Sequence, residues 1–307
     1  MPNAIFGFDT PNLGDDVQAL AAAALLPGVD AIIDRDRLDK VRLERRHRVI
    51  MNSWFAVKRY RGAPSPDLDP TYFGYCVGRE ELLNDVWLAA WRRAAPVGLR
   101  DLHSVETLSA AGVACRFSGC LTTWMGRFIK PVEKREGVVF VDVPEVMEAF
   151  IPAALSDRAE RITNYTTRAI QFDQRARWRA AAGICDRLRS AEMVVTRRLH
   201  VALPCVGFGT PVMVYLEGTR KNRRRFSGHD RFLPIVFHDG ARPVDGLAWV
   251  EPRTVEPPSE IEDGFLALAE SFDAPVAPRW ASVADVAKSI PDTPRVPRSG
   301  WSLFRRS

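Results

Sequence analysis

The chain has 307 residues, of which 46% are hydrophobic and 26% are charged, enough for two globular domains with apolar cores. Its net charge of +5 favours anionic partners. No apolar run approaches the roughly 20 residues of a membrane helix. The first ten residues lack the pattern of a signal peptide, and the basic segments are not part of a recognisable nucleic-acid module. We therefore expect a cytoplasmic protein that binds no nucleic acid.

Strands and helices alternate through the first part of the chain. The predicted strands are 4–8, 30–34, 49–51, 97–100 and 113–117, and the predicted helices are 17–26, 80–95 and 104–111. The proline-rich segment 64–70 is predicted to be a loop. A strand, a helix and a second strand at this spacing predict a parallel sheet with a right-handed crossover.

The alternation continues in the second part of the chain. Strands are predicted at 137–143, 192–196, 210–215 and 234–238, and helices after Pro144 and at 175–190, 199–208 and 261–271. This pattern predicts an α/β fold of two doubly wound, Rossmann-like domains that face each other. We expect the domains to span 1–133 and 134–272, and the proline-rich residues 273–307 to form a C-terminal wrap or tail with little packing.

The five cysteines form no CxxC pair, which argues against a disulfide framework and against a zinc cluster. We expect most of them to be small buried residues. Cys120 is not expected to be a nucleophile, because a catalytic thiol needs an activating base beside it.

Two polar segments of the first domain follow predicted strands. Residues 12–18 (Asn-Leu-Gly-Asp-Asp-Val-Gln) lead into a helix, where Asp15 and Asp16 either cap the helix or act on an acceptor hydroxyl. Arg100 ends a short strand, and its guanidinium could bind a carboxylate or phosphate or could pair with Asp101.

Three further segments could bind a ligand. Residues 118–123 (Ser-Gly-Cys-Leu-Thr-Thr) would let a ligand approach the backbone. Arg197, Arg198 and His200 lie where a strand leads into a helix, so they could bind an anion, and His200 could exchange a proton near neutral pH. The basic segment 220–225 is either a solvated loop or part of a site for an acidic ligand.

Between residue 5 and about residue 240, the order and spacing of these motifs resemble the polysaccharide pyruvyltransferase family. The matching segments are 12–16, 97–101 with Ser104, Leu108 and 112–113, 117–122, 191–204 and 209–212. The resemblance implies a glycosyltransferase-B-like fold with the active site in a cleft between the domains. It also implies transfer of the enolpyruvyl-derived group of phosphoenolpyruvate to sugar hydroxyls, usually as a cyclic ketal. Neither a redox cofactor nor a metal is implied.

The resemblance also implies roles for individual residues. The catalytic acid and base would be His200 with Asp15 or Asp16. The donor would be bound mainly by Arg100 and Arg198. The remaining predicted contacts are Arg197, Leu199, Ser118 and Thr122 on the donor side, and Asn12, Asn52 and Trp54 on the acceptor side. The chain departs from the family at 51–55 (Met-Asn-Ser-Trp-Phe), where many members have a glycine-rich turn, and Arg197 adds a charge to the donor motif.

The implied partners are phosphoenolpyruvate and a saccharide acceptor for exopolysaccharide or cell-envelope synthesis, with a lipid-linked acceptor as one option. Trp301 and Phe304 could then contact the inner face of a membrane peripherally, or belong to a disordered tail. Two other hypotheses remain open at this point. One is a nucleotide-sugar glycosyltransferase of the glycosyltransferase-B type, and the other is a non-catalytic relative that binds anions or glycans.

Overall fold

A computed structural model describes residues 1–55, 62–244 and 248–296 of the chain. Over these residues the fold is mixed α/β, and its two larger sheets come from successive parts of the sequence. Every strand pair in both sheets is parallel. The predicted α/β class with parallel sheets is therefore confirmed.

The described residues contain thirteen strands. They are β1 (Asn3–Gly7), β2 (Ala31–Asp34), β3 (His47–Ile50), β4 (Trp54–Phe55), β5 (Leu68–Thr71), β6 (Cys76–Val77), β7 (Val97–Leu99), β8 (Cys115–Phe117), β9 (Val138–Val141), β10 (Ala159–Ile162), β11 (Met193–Thr196), β12 (Val212–Glu217) and β13 (Ile235–His238).

The same residues contain ten α-helices. They are α1 (Gly14–Leu25), α2 (Asp85–Arg93), α3 (Leu102–Ala110), α4 (Glu145–Glu148), α5 (Ala153–Ser156), α6 (Gln174–Arg189), α7 (Leu199–Phe208), α8 (Arg220–Phe226), α9 (Ser259–Ser271) and α10 (Val283–Ser289). Short 3₁₀ helices lie at Arg35–Lys40, Glu80–Leu82, Leu121–Arg127 and His229–Arg231.

The first sheet has the strand order β2-β1-β3-β5, and two short strand pairs, β4 with β6 and β7 with β8, accompany it. The second sheet has the order β10-β9-β11-β12-β13. In such sheets the carboxyl ends of the strands share one edge, which is where open α/β folds bind ligands. Helices α1 and α7 start at this edge, just after β1 and β11.

Helix α1 is buried along its whole length. It packs against α6, α7, α10 and the 3₁₀ helix Leu121–Arg127. A helix surrounded on all sides has no solvent face to fill with polar residues, and this accounts for its alanine- and leucine-rich sequence. Because α6 comes from the second predicted domain, one continuous apolar core includes Leu20 of α1 and Trp178 of α6. The apolar core is therefore continuous across the predicted domain boundary at residue 134.

One local prediction is wrong, and two of the open alternatives are excluded. Asp15 and Asp16 do not cap α1, because the helix starts at Gly14 and its N-cap, Leu13, makes no side-chain capping bond. The predicted loop 64–70 overlaps β5, a strand at the edge of its sheet, where Pro70 is tolerated because an edge strand can do without one N–H. The basic segment 220–225 lies in helix α8 rather than in a loop.

The C-terminal segment packs more closely than expected. In α10, Val283 and Val286 are fully buried against the first core. Beyond it, Arg295 forms an ion pair with Asp9, and Val296 bridges to Ile33 beside β2. The segment up to residue 296 is thus a packed strap. Trp301 and Phe304, the two candidates for a membrane contact, lie outside the described residues.

Across the described ranges, no helix combines the length and the apolar character that crossing a membrane requires.

Candidate active site at the amino ends of two helices

The amino ends of α1 and α7 meet at Gly14 and His200. A Cβ atom added to Gly14 would lie 3.1 Å from the Cβ of His200, so the glycine permits the close approach of the two helices. The unpaired N–H groups and the partial positive charge of each helix are concentrated at this end. Elements from both sheets therefore contribute to one region that favours an anion.

Arg198 is the N-cap of α7, and its guanidinium is held on two sides. Its Nε donates to Oδ2 of Asp142 over 2.7 Å, and its guanidinium carbon lies 4.3 Å from the centre of the Tyr165 ring. One terminal nitrogen, NH2, is buried and makes no hydrogen bond within the described part of the chain. Arg198 is thus fixed in one orientation and retains a free donor for a ligand.

Arg100, directly after β7, is completely buried. Its NH1 donates to Oε1 of Gln18 over 3.4 Å and lies 3.2 Å from Nε2 of His200. Its Nε and NH2 have no partner among the described residues, and no carboxylate there forms an ion pair with it. A buried charge without a counter-ion is costly, so this arrangement is typical of a site that binds an anion.

His200 is 6% exposed and lies in front of Arg100. An arginine nitrogen can only donate, so Nε2 of His200 accepts this bond and the ring proton is on Nδ1. Burial lowers the pKa of His200 well below its usual range, and the charges of Arg100 and Arg225 lower it further. His200 is therefore neutral at rest, and an anion bound beside it would raise its pKa.

Asp15 is linked to this pair through Gln18. Nε2 of Gln18 donates to Oδ1 of Asp15 over 3.4 Å, and the hydroxyl of Thr10 donates to Oδ2 over 2.6 Å. Arg35 lies 3.7 Å from the same carboxylate. Asp15 thus belongs to a buried network that runs through Gln18 to Arg100 and His200.

Asp16 points elsewhere. Its carboxylate accepts two bonds from Arg177 of α6, at 2.5 and 3.2 Å, and one from Gln174 at 2.9 Å. Burial raises the pKa of Asp16 to about 6, and Arg177 opposes this shift, so the carboxylate is ionised at neutral pH. Asp16 joins α1 to α6, and these contacts contradict its predicted role as a catalytic base.

Three further predicted contacts are turned into the protein. The hydroxyl of Ser118 accepts a bond from the backbone N–H of Gly74, and that of Thr122 donates to the sulfur of Cys120. The amide of Asn52 donates to the backbone carbonyl of Gln18. All three side chains are buried and used internally, so their predicted contacts with donor or acceptor are not supported. Their polar groups hold loops together instead.

A cavity of about 430 Å³ opens at the amino end of α7. Of the predicted residues, Asn12, Arg197, Arg198, Leu199 and His200 line it. The rest of the lining is polar for the most part and comprises Pro144, Asn164, Tyr165, Leu216, Glu217, Asn222, Arg225, Phe226, His238 and Gly240. Arg100 is not part of this surface and reaches it only through His200.

The family model described as polysaccharide pyruvyl transferase matches residues 78–217. Over this region, which is a little under half of its length, the chain is similar to the polysaccharide pyruvyl transferase family. The match indicates a transferase and implies a saccharide acceptor. The matched region includes Arg198 and His200, which line the cavity, and Arg100, which contacts His200 from behind.

No curated protein matches the chain. Among solved structures, a functionally uncharacterized protein, KP1_0663, from Klebsiella pneumoniae subsp. pneumoniae NTUH-K2044 has a TM-score of 0.43 and 15% identity, over 77% of this chain and 92% of that chain. A UDP-N-acetylglucosamine 2-epimerase has a TM-score of 0.38 and 10% identity, over 94% of both chains.

Several residues of this candidate site were missed from the sequence. Asn164 and Tyr165 follow β10, which was not predicted, and they contact the Asn12 loop through a hydrogen bond and a β-bridge. His229 is fully buried between Phe117 and Phe232, with ring centroids 5.7 Å from each. These residues lacked a sequence signal because their positions depend on packing between distant segments.

The described residues contain no cluster of three or more histidine, cysteine, aspartate and glutamate side chains arranged to hold a metal ion. The thiol of Cys120 is buried, and burial raises its pKa above the usual range. A protonated thiol that is closed off from the cavity is a poor nucleophile.

Proposed function

We propose that this transferase moves the pyruvyl group of phosphoenolpyruvate to two hydroxyls of a saccharide, forming a cyclic ketal and releasing phosphate. The observation that supports this most is the convergence of Arg198, His200 and the buried Arg100 at the amino end of α7. Phosphoenolpyruvate is a small anion that carries both a carboxylate and a phosphate, and guanidinium groups suit both.

Arg198 is the proposed direct contact to the donor. Asp142 and Tyr165 hold its guanidinium, and its buried NH2 has no partner among the described side chains. Arg100 would act from behind His200 by adding positive charge and fixing the ring tautomer. Arg197, which is exposed, and the backbone at Leu199 would complete the donor side.

His200 is the proposed proton carrier. Its pKa is low because burial and the charge of Arg100 disfavour the imidazolium. Binding of the anionic donor adds negative charge beside the ring and so raises the pKa of His200. Donor binding itself would therefore prepare the histidine to hold and deliver a proton.

The reaction then follows from the chemistry of the donor. Protonation of the methylene carbon gives a methyl group and an oxocarbenium-like centre at C2. One saccharide hydroxyl adds to C2 and loses its proton, the bond between C2 and the phosphate oxygen breaks, and the second hydroxyl adds and loses its proton. His200 can deliver the first proton and accept a later one, while Asp15, held by Thr10 and Gln18, supports the network behind it.

The acceptor is proposed to enter from the side of Asn12 and Trp54. Asn12 lines the cavity. Its Oδ1 accepts a hydrogen bond of 3.1 Å from the side-chain amide of Asn164, which lies in a loop of the second sheet. This contact joins the regions that contain the two sheets. It supports a glycosyltransferase-B-like arrangement in which the cavity is the cleft between two Rossmann-like domains of about 1–133 and 134–272, with α6 of the second packed into the core of the first.

Turnover tests this function directly. The protein is incubated with phosphoenolpyruvate and a panel of saccharides, both free and lipid-linked, and released phosphate and the ketal methyl signal in proton NMR are measured. We expect phosphate release that depends on one class of acceptor and equals the ketal formed. Binding of phosphoenolpyruvate without turnover on any acceptor would favour a non-catalytic relative, and consumption of a nucleotide sugar would favour a glycosyltransferase.

A further inference from the structure

Helix α8 places one of its five basic residues differently from the others. Arg225 lines the cavity next to His200, whereas Arg220, Lys221 and Arg223 are exposed. The buried Nε of Arg225 makes no hydrogen bond within the described part of the chain. From the sequence alone, segment 220–225 has two possible roles, one as a solvated segment and one in binding an acidic ligand.

Arg225 is held by an aromatic ring from the first sheet's region. Its guanidinium carbon lies 5.0 Å from the centre of the Trp54 ring, and Lys221 approaches the same ring at 5.9 Å. A guanidinium stacked on a ring keeps its orientation while its N–H groups stay available in the plane. The Trp54 contact therefore orients Arg225 without neutralising it.

Like charges surround Arg225. Burial lowers its pKa, and Arg100 and Arg198 lower it further. The acidic residue in the cavity lining, Glu217, is exposed and forms no ion pair with it in the described structure. Arg198 and Arg225 thus line one cavity, with Arg100 behind His200. An anion bound between the two lining guanidinium groups would relieve the repulsion among these charges.

We propose that Arg225 is an anion-binding residue of the donor site, contacting the phosphate-bearing donor in the cavity that it lines together with Arg198. This inference rests on the proposed function for the identity of the donor, and it extends the site beyond residue 217, where the family match ends. Trp54 is then a positioning residue that keeps the Arg225 side chain at the cavity.

The test compares Arg225→Gln with Arg220→Gln, which removes the same charge from an exposed position of the same helix. Dissociation constants are measured by calorimetry for phosphoenolpyruvate and for inorganic phosphate. Loss of a charge-assisted contact weakens binding about tenfold to a hundredfold. We expect this loss for both ligands in Arg225→Gln, and less than about a threefold change in Arg220→Gln.

Thermal unfolding without ligand separates binding from a structural role. Because Arg225 is repelled by its neighbours, Arg225→Gln should melt no lower than the wild type. Arg225→Lys keeps the positive charge but lacks the planar pair of N–H donors of a guanidinium. Its affinity for phosphoenolpyruvate should therefore lie between those of the wild type and Arg225→Gln. If Arg225→Gln melts at a lower temperature than the wild type, and Arg225→Lys binds as weakly as Arg225→Gln, then Arg225 is a structural residue instead.

The outcomes separate this inference from the proposed function. If the wild type binds phosphoenolpyruvate and Arg225→Gln binds it equally well, the inference is wrong and the function stands. If the wild type binds only inorganic phosphate, and Arg225→Gln weakens that binding, the inference stands and the donor is a different anion. If the wild type binds neither ligand, or if Arg220→Gln weakens binding as much, the inference fails.

Discussion

Arg198 is anchored by neighbouring side chains of the protein itself. Asp142 accepts from its Nε, and Asp142 itself has a left-handed backbone with φ of 50°, which is uncommon for aspartate. The hydroxyl of Thr163 and the backbone N–H of Asn164 also donate to the Asp142 carboxylate. Asp142 thus ties the donor arginine to the loop that contacts Asn12.

Asp142→Asn should weaken donor binding without abolishing turnover. The amide keeps the shape of the side chain but loses the charge that holds Arg198, so we expect the KM for phosphoenolpyruvate to rise about tenfold, with a smaller change in kcat. Steady-state kinetics measures both values. Glu148→Gln breaks an exposed ion pair with Arg161 and is the control, with kinetics close to the wild type. An unchanged KM in Asp142→Asn would contradict the anchoring role.

The residue types at the centre of the site could be predicted from the sequence. Arg100, Arg198 and His200 each follow a strand, and strand ends in parallel sheets meet at one edge. The direction of a side chain could not be predicted in the same way. Asp15 and Asp16 are adjacent on one helix, yet one faces Gln18 and the other faces Arg177 of a distant helix.

At the scale of elements, the position of α7 depends on two glycines. It packs against the 3₁₀ helix Leu121–Arg127, where a Cβ atom added to Gly126 would lie 1.8 Å from the carbonyl oxygen of Gly207. No side chain fits between these backbones. The contact fixes the carboxyl half of α7 and so helps to fix its amino end at the cavity.

Gly126→Ala should therefore destabilise the protein. The added methyl group must push two backbones apart, which costs at least about 1–3 kcal/mol. Gly183→Ala is the matched control, because Gly183 lies in the exposed interior of α6 and its Cβ would meet nothing within 4 Å. That substitution should stabilise the protein by about 0.5–1 kcal/mol. Urea unfolding measures both changes, and equal stability of the two variants would exclude a tight contact at Gly126.

Elements with strong periodicity or a long apolar run were predictable, and those defined by tertiary contacts were not. Strand β9 is a run of valines and phenylalanine, and α6 and α7 have clear boundaries. Strand β10 is short, polar and at the edge of its sheet, so nothing in its sequence indicates pairing. Helix α10 has only 7 residues and is stabilised by burial against the first core.

At the scale of the whole molecule, buried histidines make stability depend on pH. Burial and the charge of Arg100 together lower the pKa of His229 from 6.5 to about 3, and neither ring nitrogen meets hydrogen-bond geometry with a described residue. As the pH falls below about 6.5, the unfolded chain binds a proton that the folded protein does not. The folded state therefore loses about 1.4 kcal/mol per pH unit for this group.

His229→Phe should reduce this acid sensitivity. Phenylalanine suits a position between two phenylalanine rings, so the free energy of unfolding at about pH 7 should change by less than about 1.5 kcal/mol. Between about pH 6.5 and pH 5, the variant should lose less stability than the wild type. It keeps part of the dependence, because His200 also has a lowered pKa. Urea titrations at both pH values measure the difference, and identical losses would contradict a neutral, buried His229.

The two parallel sheets could be predicted from the alternation of strands and helices, but the way the chain joins them could not. Trp178 packs in the first core although it comes from the second half of the chain, and the strap ending at Val296 returns to β2. Contacts between segments so far apart in the sequence leave no periodic pattern of hydrophobic residues from which they could be predicted. They place the regions around both sheets within one packed molecule and bring Arg100 and His200 to one site.

The most direct test of the central claim is a calorimetric titration of phosphoenolpyruvate into the wild type, Arg198→Gln and the exposed control Arg220→Gln. We predict saturable binding at one site per chain in the wild type. We also predict affinity at least about tenfold weaker in Arg198→Gln and nearly unchanged in Arg220→Gln. Absence of saturable binding in the wild type, or equal affinity in Arg198→Gln, would contradict a phosphoenolpyruvate site at the amino end of α7.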